Sequence, residues 1–302
     1  MSLHVFANFV TPFGTAANNR AETEGNITTL QKLLWQGETH STVSAEAIRF
    51  ALRRLLGASE KTNRIWDEAL RANVWTDHQF KGWAGEKGVT FGDDDLLGYM
   101  IAEAAKEEGE AGSATVRRAV LEVTRAVSLT PWAGDVSFNA ASPGATPSAQ
   151  KKGNNPVPYG TELHATRYQY GIALTPERLR DKSRAAKAID ALCNLGTVAG
   201  NHGRFLFDFS PDAVVFRITQ DPAPRLLYCF DTDDDGKTVL APKLLQRLAS
   251  EDIDPKELIL GVSDLESKLA TELKAKGVVV LGVKKACELA VTKINAELKI
   301  KG

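Results

Sequence analysis

Apolar residues are arranged in two different patterns near the start of this chain, and each pattern predicts one element. Residues 4–10 (HVFANFV) are almost continuously apolar or aromatic, which predicts a buried strand. After Ser44, a favourable N-cap, apolar residues recur every three or four positions as far as Leu56. Residues 44–56 are therefore predicted to form an amphipathic helix, with Gly57 as its stop.

The middle of the chain continues with strands and one more helix. β-Branched residues and partial alternation predict strands at residues 116–129, 164–174 and 213–219, and helical spacing predicts a helix at 184–198. With the first two elements, the order becomes strand, helix, strand, strand, helix, strand. This order is that of the split βαβ fold, so we predict an α+β protein with an RRM/ferredoxin-like palm, an antiparallel sheet with helices on one face.

Two segments interrupt this order. Residues 60–112 combine glycines and tryptophans with an acidic run at 93–95 (DDD), and residues 62–72 favour a short helix. Acidic runs are usually solvated, so we expect this one to be exposed. Residues 131–163 contain a loop rich in Ala, Ser, Pro, Gly and Asn, which cannot bury a core and predicts a flexible arm or hairpin tip.

The last third is predicted to be a C-terminal α/β extension, residues 231–302. Short apolar runs predict strands and amphipathic runs predict helices. The strands are expected at 226–230, 258–262 and 278–283, and the helices at 263–276, capped by Ser263, and at 284–298.

Composition describes an ordinary globular protein and limits the function classes. Of 302 residues, 43% are apolar and 25% are charged, with 37 Lys and Arg against 38 Asp and Glu. This balance argues against a bulk polyanion binder, but it is compatible with a local basic groove. No apolar run is as long as a membrane span, and Cys193, Cys229 and Cys287 are scattered. We therefore expect a cytoplasmic protein with reduced thiols and no membrane association.

Sequence motifs for catalysis or metal binding are missing. Residues 231–236 (DTDDDG) begin like a calcium loop, but Pro242 stands where that loop needs a glutamate. The histidines show no ligand spacing with each other or with cysteine. Neither a glycine-flanked serine nucleophile nor a phosphate-binding loop occurs. We therefore predict no enzyme activity, no metal site and no cofactor.

Two polar loops that carry arginine are the stronger functional candidates. The first follows the first strand and the second follows the 184–198 helix; their polar residues are Asn18, Asn19 and Arg20, and Asn201, His202 and Arg204. Amide, imidazole and guanidinium donors suit a phosphodiester backbone, which arginine can bind through two hydrogen bonds. Taken singly, each loop is better explained as an ordinary turn with a solvated arginine.

Several motifs occur in a consistent order along the chain. They are residues 6–9 (FANF) with 18–20 (NNR), 41–49 (STVSAEAIR), 95–100 (DLLGYM) and 200–205 (GNHGRF). These motifs resemble CRISPR-associated DevR/Cst-type proteins, and the resemblance covers roughly residues 3–230. Those proteins are backbone subunits of type I (I-B-like) Cascade complexes in the RAMP superfamily.

The resemblance implies a right-hand-shaped protomer. An RRM-like palm would comprise residues 1–59 and 113–230. A finger-like insertion would occupy 60–112, a thumb 131–163, and the C-terminal extension 231–302.

The resemblance also implies a function. The protein would be non-catalytic, bind a guide RNA (crRNA), oligomerise along it as a helical filament, and present it for pairing with target DNA in antiviral defence. Its partners would be the crRNA, target DNA through the guide, copies of itself, and the large, Cas5-type and Cas6-type subunits. Base pairing would supply sequence specificity, while the protein would hold the RNA backbone.

Residues of the loops, first helix and thumb would contact RNA if the resemblance holds. They are Asn18, Asn19, Arg20, Ser44, Arg49, Arg53, Trp132, Lys151, Lys152, Asn201, His202 and Arg204. Trp132 or Val136 would wedge against a base, since stacking tolerates any sequence. Residue types alone favour Arg49 and Arg53 as solvated residues of an amphipathic helix, and Trp132 is equally a core residue.

Two other functions stay open at this point. A metal-dependent ribonuclease could use Asp93, Asp94 or Asp95 with Mg²⁺ to cut guide-paired RNA. A transcriptional or developmental regulator would bind duplex DNA, although the sequence contains no evident helix-turn-helix pattern.

Overall fold

The computed structural model describes residues 2–17, 22–80, 90–103, 113–142, 157–199, 205–233 and 236–300. The α-helices are α1 (Ala45–Leu56), α2 (Gly92–Leu97), α3 (Arg184–Cys193), α4 (Pro242–Ala249), α5 (Lys268–Ala275) and α6 (Val283–Glu297). Two 3₁₀ helices occupy Pro176–Arg178 and Pro255–Glu257. The strands are β1 (His4–Val10), β2 (Gly14–Ala17), β3 (Thr23–Glu24), β4 (Ile27–Thr28), β5 (Lys32–Trp35), β6 (Glu38–Val43), β7 (Arg64–Asp67), β8 (Ala72–Trp75), β9 (Tyr99–Glu103), β10 (Ser113–Arg117), β11 (Leu121–Val123), β12 (Ala126–Ser128), β13 (Val136–Ala141), β14 (Val157–Thr166), β15 (Tyr168–Leu174), β16 (Ala213–Thr219), β17 (Asp231–Thr232), β18 (Val239–Leu240), β19 (Leu258–Val262) and β20 (Val279–Gly282).

A large central sheet organises these elements into a mixed α+β fold. Its strand order is β20-β19-β16-β1-β15-β12-β6-β5, and β11 also pairs with β15. Strand β1 lies between β15 and β16 and is antiparallel to both. The last pair, β19 and β20, is parallel. The predicted succession of strand, helix, strand, strand, helix, strand is therefore present as β1, α1, β11–β12, β15, α3 and β16.

Helices cover both faces of the central sheet. One face carries Phe9, Tyr170 and Phe216, which pack with apolar residues of α1, α3 and α6. The other face carries Phe6 and Val215, which pack with α4 and α5. The two helices of the predicted palm, α1 and α3, lie on one face as expected, while the C-terminal elements add β19 and β20 to the same sheet and cover its second face.

Residues 226–230 were expected to form a strand, but they cross the central sheet without strand pairing. The amide of Tyr228 donates to Oδ1 of Asn8 at 3.1 Å, and Nε2 of Gln169 donates to the carbonyl of Phe230 at 2.9 Å. The crossing is close: a Cβ at Gly171 would lie 2.5 Å from Cδ2 of Leu227. Buried side-chain amides therefore satisfy this backbone in place of a neighbouring strand.

A second, smaller sheet contains the predicted 131–163 arm. Strands β13 and β14, here called the hairpin arm, form an antiparallel pair, and β14 also pairs with β2 and, in parallel, with β4. Strand β3 joins the sheet through β4. The expected hairpin is present, while Lys151 and Lys152 lie outside the described residues.

Three further predictions differ in detail from the structure. The 116–129 strand is divided into β10, β11 and β12, because β10 leaves the central sheet to pair with β9. The 62–72 helix is instead the β7–β8 hairpin, whose turn is held by Asp67 accepting from the amides of Ala69 and Leu70. The 184–198 helix ends at Cys193.

The predicted 263–276 helix begins later than expected. Ser267 caps α5 by accepting from the amide of Ala270 at 3.3 Å. Ser263, the expected cap, donates its hydroxyl to Oδ1 of Asp212 instead. By contrast, Ser44 caps α1 as predicted.

Cysteine pairing also departs from expectation. A disulfide joins Cys193 at the end of α3 to Cys287 in α6, while Cys229 is free and buried. The prediction of reduced thiols is therefore wrong for two of the cysteines, because sequence spacing does not show which residues meet in space. Within the described ranges, no helix has the length and apolar character needed to cross a membrane.

Candidate nucleic-acid interface

The flanks of the two arginine-bearing loops meet at the base of the hairpin arm. Residues Asn18, Asn19, Arg20, Asn201, His202 and Arg204 themselves lie outside the described residues. Ala17 pairs with Leu163 of β14, and β3 returns to the same sheet through β4, so the first loop leaves and re-enters beside the arm. Gly14 faces Phe207, which follows the second loop: a Cβ there would lie 3.2 Å from the ring. Strand β2, the base of the hairpin arm and Phe207 are called the loop–arm junction below.

The hairpin arm exposes an apolar strip next to this junction. Exposed and half-buried residues alternate along β13, so Val136 and Phe138 lie on one face. Phe138 is 80% exposed and Val136 50%. On β14, a Cβ at Gly160 would approach Ile27 at 3.0 Å and Val136 at 3.3 Å, which places all three on the same face. Sequence reasoning named Val136 but missed Phe138, which the period-two pattern of residues 136–141 identifies.

Trp132 fastens the base of the arm instead of exposing a free stacking face. Its indole Nε1 donates to the carbonyl of Leu163 at 2.9 Å. The ammonium of Lys32 lies 3.8 Å from the ring centroid and pairs with Glu162 at 2.7 Å. A base would therefore have to displace Lys32 to stack on that side of the indole.

A second basic feature lies where α1 meets the β9–β10 hairpin. Arg49 and Arg53 of α1, together with Arg64 and Arg117, line a cavity of about 360 Å³, here called the arginine pocket. Gly98 shapes one wall, since its φ of +68° and the 2.3 Å that would separate a Cβ from the Arg117 carbonyl require glycine. The helical spacing of Arg49 and Arg53 thus places them on one face, as predicted.

Positive charge in the arginine pocket is only partly compensated. Arg53 donates to Asp93 at 3.1 Å, whereas Arg49 contacts the carbonyl of Leu97 and Arg64 stacks on Trp75. Within the described part of the chain, Arg49 and Arg64 form no ion pair. Burial, and then the neighbouring Arg53, lowers the pKa of both guanidiniums. Such a site favours an oxyanion, because a bound negative charge would remove this repulsion.

The acidic run at 93–95 is buried, so the prediction of a solvated run is wrong. Asp93 accepts from Nε of Arg53 and from the amides of Asn63 and Arg64. Its side chain is 1% exposed. Asp93 therefore holds in place Arg53 and Arg64, two of the residues that line the arginine pocket.

Its other two carboxylates are also held by protein groups. Asp95 pairs with Arg117 at 2.7 Å and with Arg184 at 2.9 Å. Asp94 accepts from Nδ2 of Asn63 at 2.9 Å, and burial raises its pKa to about 7. Among the described residues, no group of three or more His, Cys, Asp or Glu side chains could hold a metal ion.

Ser44 contributes to the helix start. It is buried, and its hydroxyl accepts from the amide of Ala47 at 3.2 Å. The structure thus uses this side chain for capping; its contact with RNA stays a prediction.

Comparison with known proteins identifies relatives along the whole chain. A family model described as CRISPR-associated negative auto-regulator DevR/Csa2 matches residues 11–194. A Myxococcus xanthus (strain DK1622) protein, described as CRISPR-associated protein Cas7/Cst2/DevR, is 61% identical over 302 residues, covering 99% of this chain and 100% of the relative.

Solved structures share the fold at low sequence identity. A chain from a CRISPR RNA-guided surveillance complex, pre-nicking, superposes with a TM-score of 0.60 at 13% identity, covering 97% of this chain and 100% of the other. A chain from another CRISPR RNA-guided surveillance complex gives 0.57 at 14% identity, covering 97% and 99%. Together with the family match and the 61% identical relative, the sequence motifs lead to one assignment: the chain belongs to the DevR/Csa2 family of CRISPR-associated proteins.

Proposed function

We propose that this chain is a non-catalytic backbone subunit of a CRISPR RNA-guided surveillance complex, which binds the guide RNA and stacks with copies of itself along it. The observation that carries the proposal is the meeting of both loop flanks at the loop–arm junction, seen in Gly14 against Phe207 and Ala17 beside Leu163. The full-length relatives described as Cas7/Cst2/DevR and as surveillance-complex chains support it.

The palm, finger and thumb of a right-hand-shaped protomer can be proposed from the strand order. Strands β16, β1, β15 and β11–β12 are neighbours, with α1 and α3 in the connections. This is the order of a split βαβ unit, which would be the palm. The β7–β8 and β9–β10 hairpins would be the finger, and the hairpin arm would be the thumb.

In this proposal the protein binds the backbone of the guide and leaves its bases free to pair with target DNA. Arg20 and Arg204 would bind phosphates from the loop–arm junction, and the arginine pocket would hold a further one. Phe138 would stack on a base, which requires no particular sequence. The guide would be shared with the large, Cas5-type and Cas6-type subunits in the cytoplasm.

Absence of catalysis is part of the proposal and has its own test. The carboxylates of the 93–95 run are held by arginines and amides, which supports a structural role for them. Guide-paired RNA incubated with the protein and Mg²⁺ is expected to remain intact, with and without EDTA. Regular, EDTA-sensitive cuts would support the ribonuclease alternative.

Binding of a guide-length RNA tests the main claim. Arg20→Ala combined with Arg204→Ala is expected to weaken binding and to make the slope of log K against log salt shallower by about 0.7 per lost phosphate contact. Arg247→Ala is the matched control, since Arg247 pairs with Asp252 on the surface and both side chains are 43% exposed. Equal affinities for the double variant and the control would contradict the proposal, and preference for duplex DNA would support the regulator alternative.

A further inference from the structure

Buried polar side chains connect the central sheet to the hairpin arm. Ser41 on β6 lies 2.7 Å from the hydroxyl of Tyr168 on β15 and 2.6 Å from Nδ1 of His164 on β14. The other imidazole nitrogen, Nε2, lies 3.1 Å from the carbonyl of Pro131, which precedes β13. All three side chains are buried, with Ser41 and Tyr168 fully inaccessible.

The acceptor at one end fixes the direction of every hydrogen bond. The Pro131 carbonyl can only accept, so Nε2 of His164 donates the proton. A neutral imidazole then has Nδ1 unprotonated, and Nδ1 accepts from the hydroxyl of Ser41. Ser41 in turn accepts from Tyr168. Burial lowers the pKa of His164 to about 4, which is consistent with a neutral ring.

His164 is placed to control the angle of the arm. Its backbone belongs to β14, whereas its ring contacts Ser41 of the central sheet and, through Nε2, the carbonyl of Pro131 and the hydroxyl of Thr130 at 3.4 Å, in the segment that enters β13. At the base of the arm, both strands are therefore linked to this one side chain. The hydroxyl of Thr130 also lies 2.8 Å from that of Thr166 at the end of β14, which closes the base of the arm.

We propose that His164 is a positioning residue, which fixes the hairpin arm against the central sheet through Ser41 and Pro131 and thereby places Phe138 for contact with the guide RNA. The structural half of this inference stands on the hydrogen bonds; the half concerning RNA rests on the proposed function. The two halves are tested separately.

The first test is spectroscopic and needs no RNA. In the full chain labelled with ¹⁵N-histidine, the His164 signals are assigned by their loss in His164→Gln. We expect Nε2 to be protonated and Nδ1 to be an unprotonated acceptor whose shift changes in Ser41→Ala. The tautomer with the proton on Nδ1 would overturn the proposal.

The second test measures amide hydrogen exchange of the arm. Ser41→Ala is expected to increase exchange in β13 and β14 by about tenfold while β16 stays near its wild-type rate. Tyr170→Phe is the matched control, because this neighbouring buried hydroxyl has no hydrogen-bond partner among the residues that the structure describes. If Ser41→Ala does not fold, Tyr168→Phe is used instead, because it removes the hydrogen bond from Tyr168 to Ser41 in the same series. An arm that exchanges as in wild type in both variants would overturn the proposal.

Guide RNA binding by the same variants separates the two halves. A roughly tenfold weaker affinity in Ser41→Ala, with Tyr170→Phe unchanged, supports the whole inference. A loosened arm with unchanged RNA affinity supports the positioning role of His164 and overturns the contact of Phe138 with the guide.

Discussion

Arg53 and Asp93 join the first helix to a buried acidic run: Nε of Arg53 donates to Oδ2 of Asp93 at 3.1 Å, with the two side chains 12% and 1% exposed. The family resemblance assigns Arg53 to RNA, and the structure shows that this arginine is already part of a protein ion pair. Arg49 and Arg64, which lack an ion pair within the described residues, are therefore the freer cations of the arginine pocket.

Asp93→Asn is expected to destabilise the protein by about 3–5 kcal/mol, because it leaves the partly buried Arg53 without its counter-charge. Chemical denaturation measures the change. Asp252→Asn is the control: its pair with Arg247 is exposed, so a loss below about 1 kcal/mol is expected. Equal losses of stability in the two variants would show that the buried pair of Arg53 and Asp93 contributes no more to stability than the exposed pair.

Tyr168 and Tyr170 offer a matched pair of buried hydroxyls on one strand. Tyr168→Phe is expected to cost about 1–3 kcal/mol, because it leaves Ser41 without a donor. Tyr170→Phe is expected to be neutral or stabilising, since its hydroxyl has no hydrogen-bond partner in the described part of the chain. Thermal and denaturant unfolding check both, and a larger loss for Tyr170→Phe would contradict this assignment.

Asp94 and His164 should give the stability of the protein opposite dependences on pH. Burial raises the pKa of Asp94 from 3.8 to about 7, so the folded state binds the extra proton and stability falls as pH rises from 3.8 towards 7. Burial lowers the pKa of His164 from 6.5 to about 4, so stability falls as pH drops from 6.5 towards 4. His40 and Asp135 are the titratable neighbours that also act on His164: His40 lowers its pKa and Asp135 raises it.

Asp94→Asn separates these contributions. Between about pH 4 and 6.5 the two contributions oppose each other and largely cancel in the wild type, so the variant is expected to show the decline towards acid pH that His164 causes, without the decline between pH 6.5 and 7. Denaturant unfolding at several pH values between 4 and 8 measures this, and parallel profiles for wild type and variant would contradict the raised pKa of Asp94.

Phe138→Ala is expected to weaken guide RNA binding by about tenfold, because stacking contributes about 1–3 kcal/mol per base. Its effect on stability should be small, since the ring is 80% exposed. Leu265→Ala, at another exposed apolar residue, is the control. An equal RNA affinity in both variants would show that Phe138 does not contact the guide RNA.

Sequence patterns predicted the bounds of those strands and helices that are determined by neighbouring residues. Strand β1 is a continuous apolar run, and α1 carries its own cap in Ser44, so the observed bounds His4–Val10 and Ala45–Leu56 nearly match the prediction. The late start of α5 was missed because Ser263 and Ser267 are both acceptable caps, and the contact of Ser263 with Asp212 decides between them.

Features that depend on distant partners could not be predicted. Burial of the 93–95 run requires arginines from α1, β10 and α3, which no local window contains. The unpaired course of residues 226–230 depends on Asn8 and Gln169 reaching its backbone. The Cys193–Cys287 disulfide likewise joins residues 94 positions apart.

Photo-crosslinking of a guide RNA to the full chain, followed by mass spectrometry of the linked peptides, tests the central claim most directly. Crosslinks are expected from the loop–arm junction and its two loops, within residues 12–24, 131–163 and 196–210, with Arg247 and its neighbours unlinked. Crosslinks concentrated on α4, α5 or α6, or an RNA that links to no part of the chain, would contradict it.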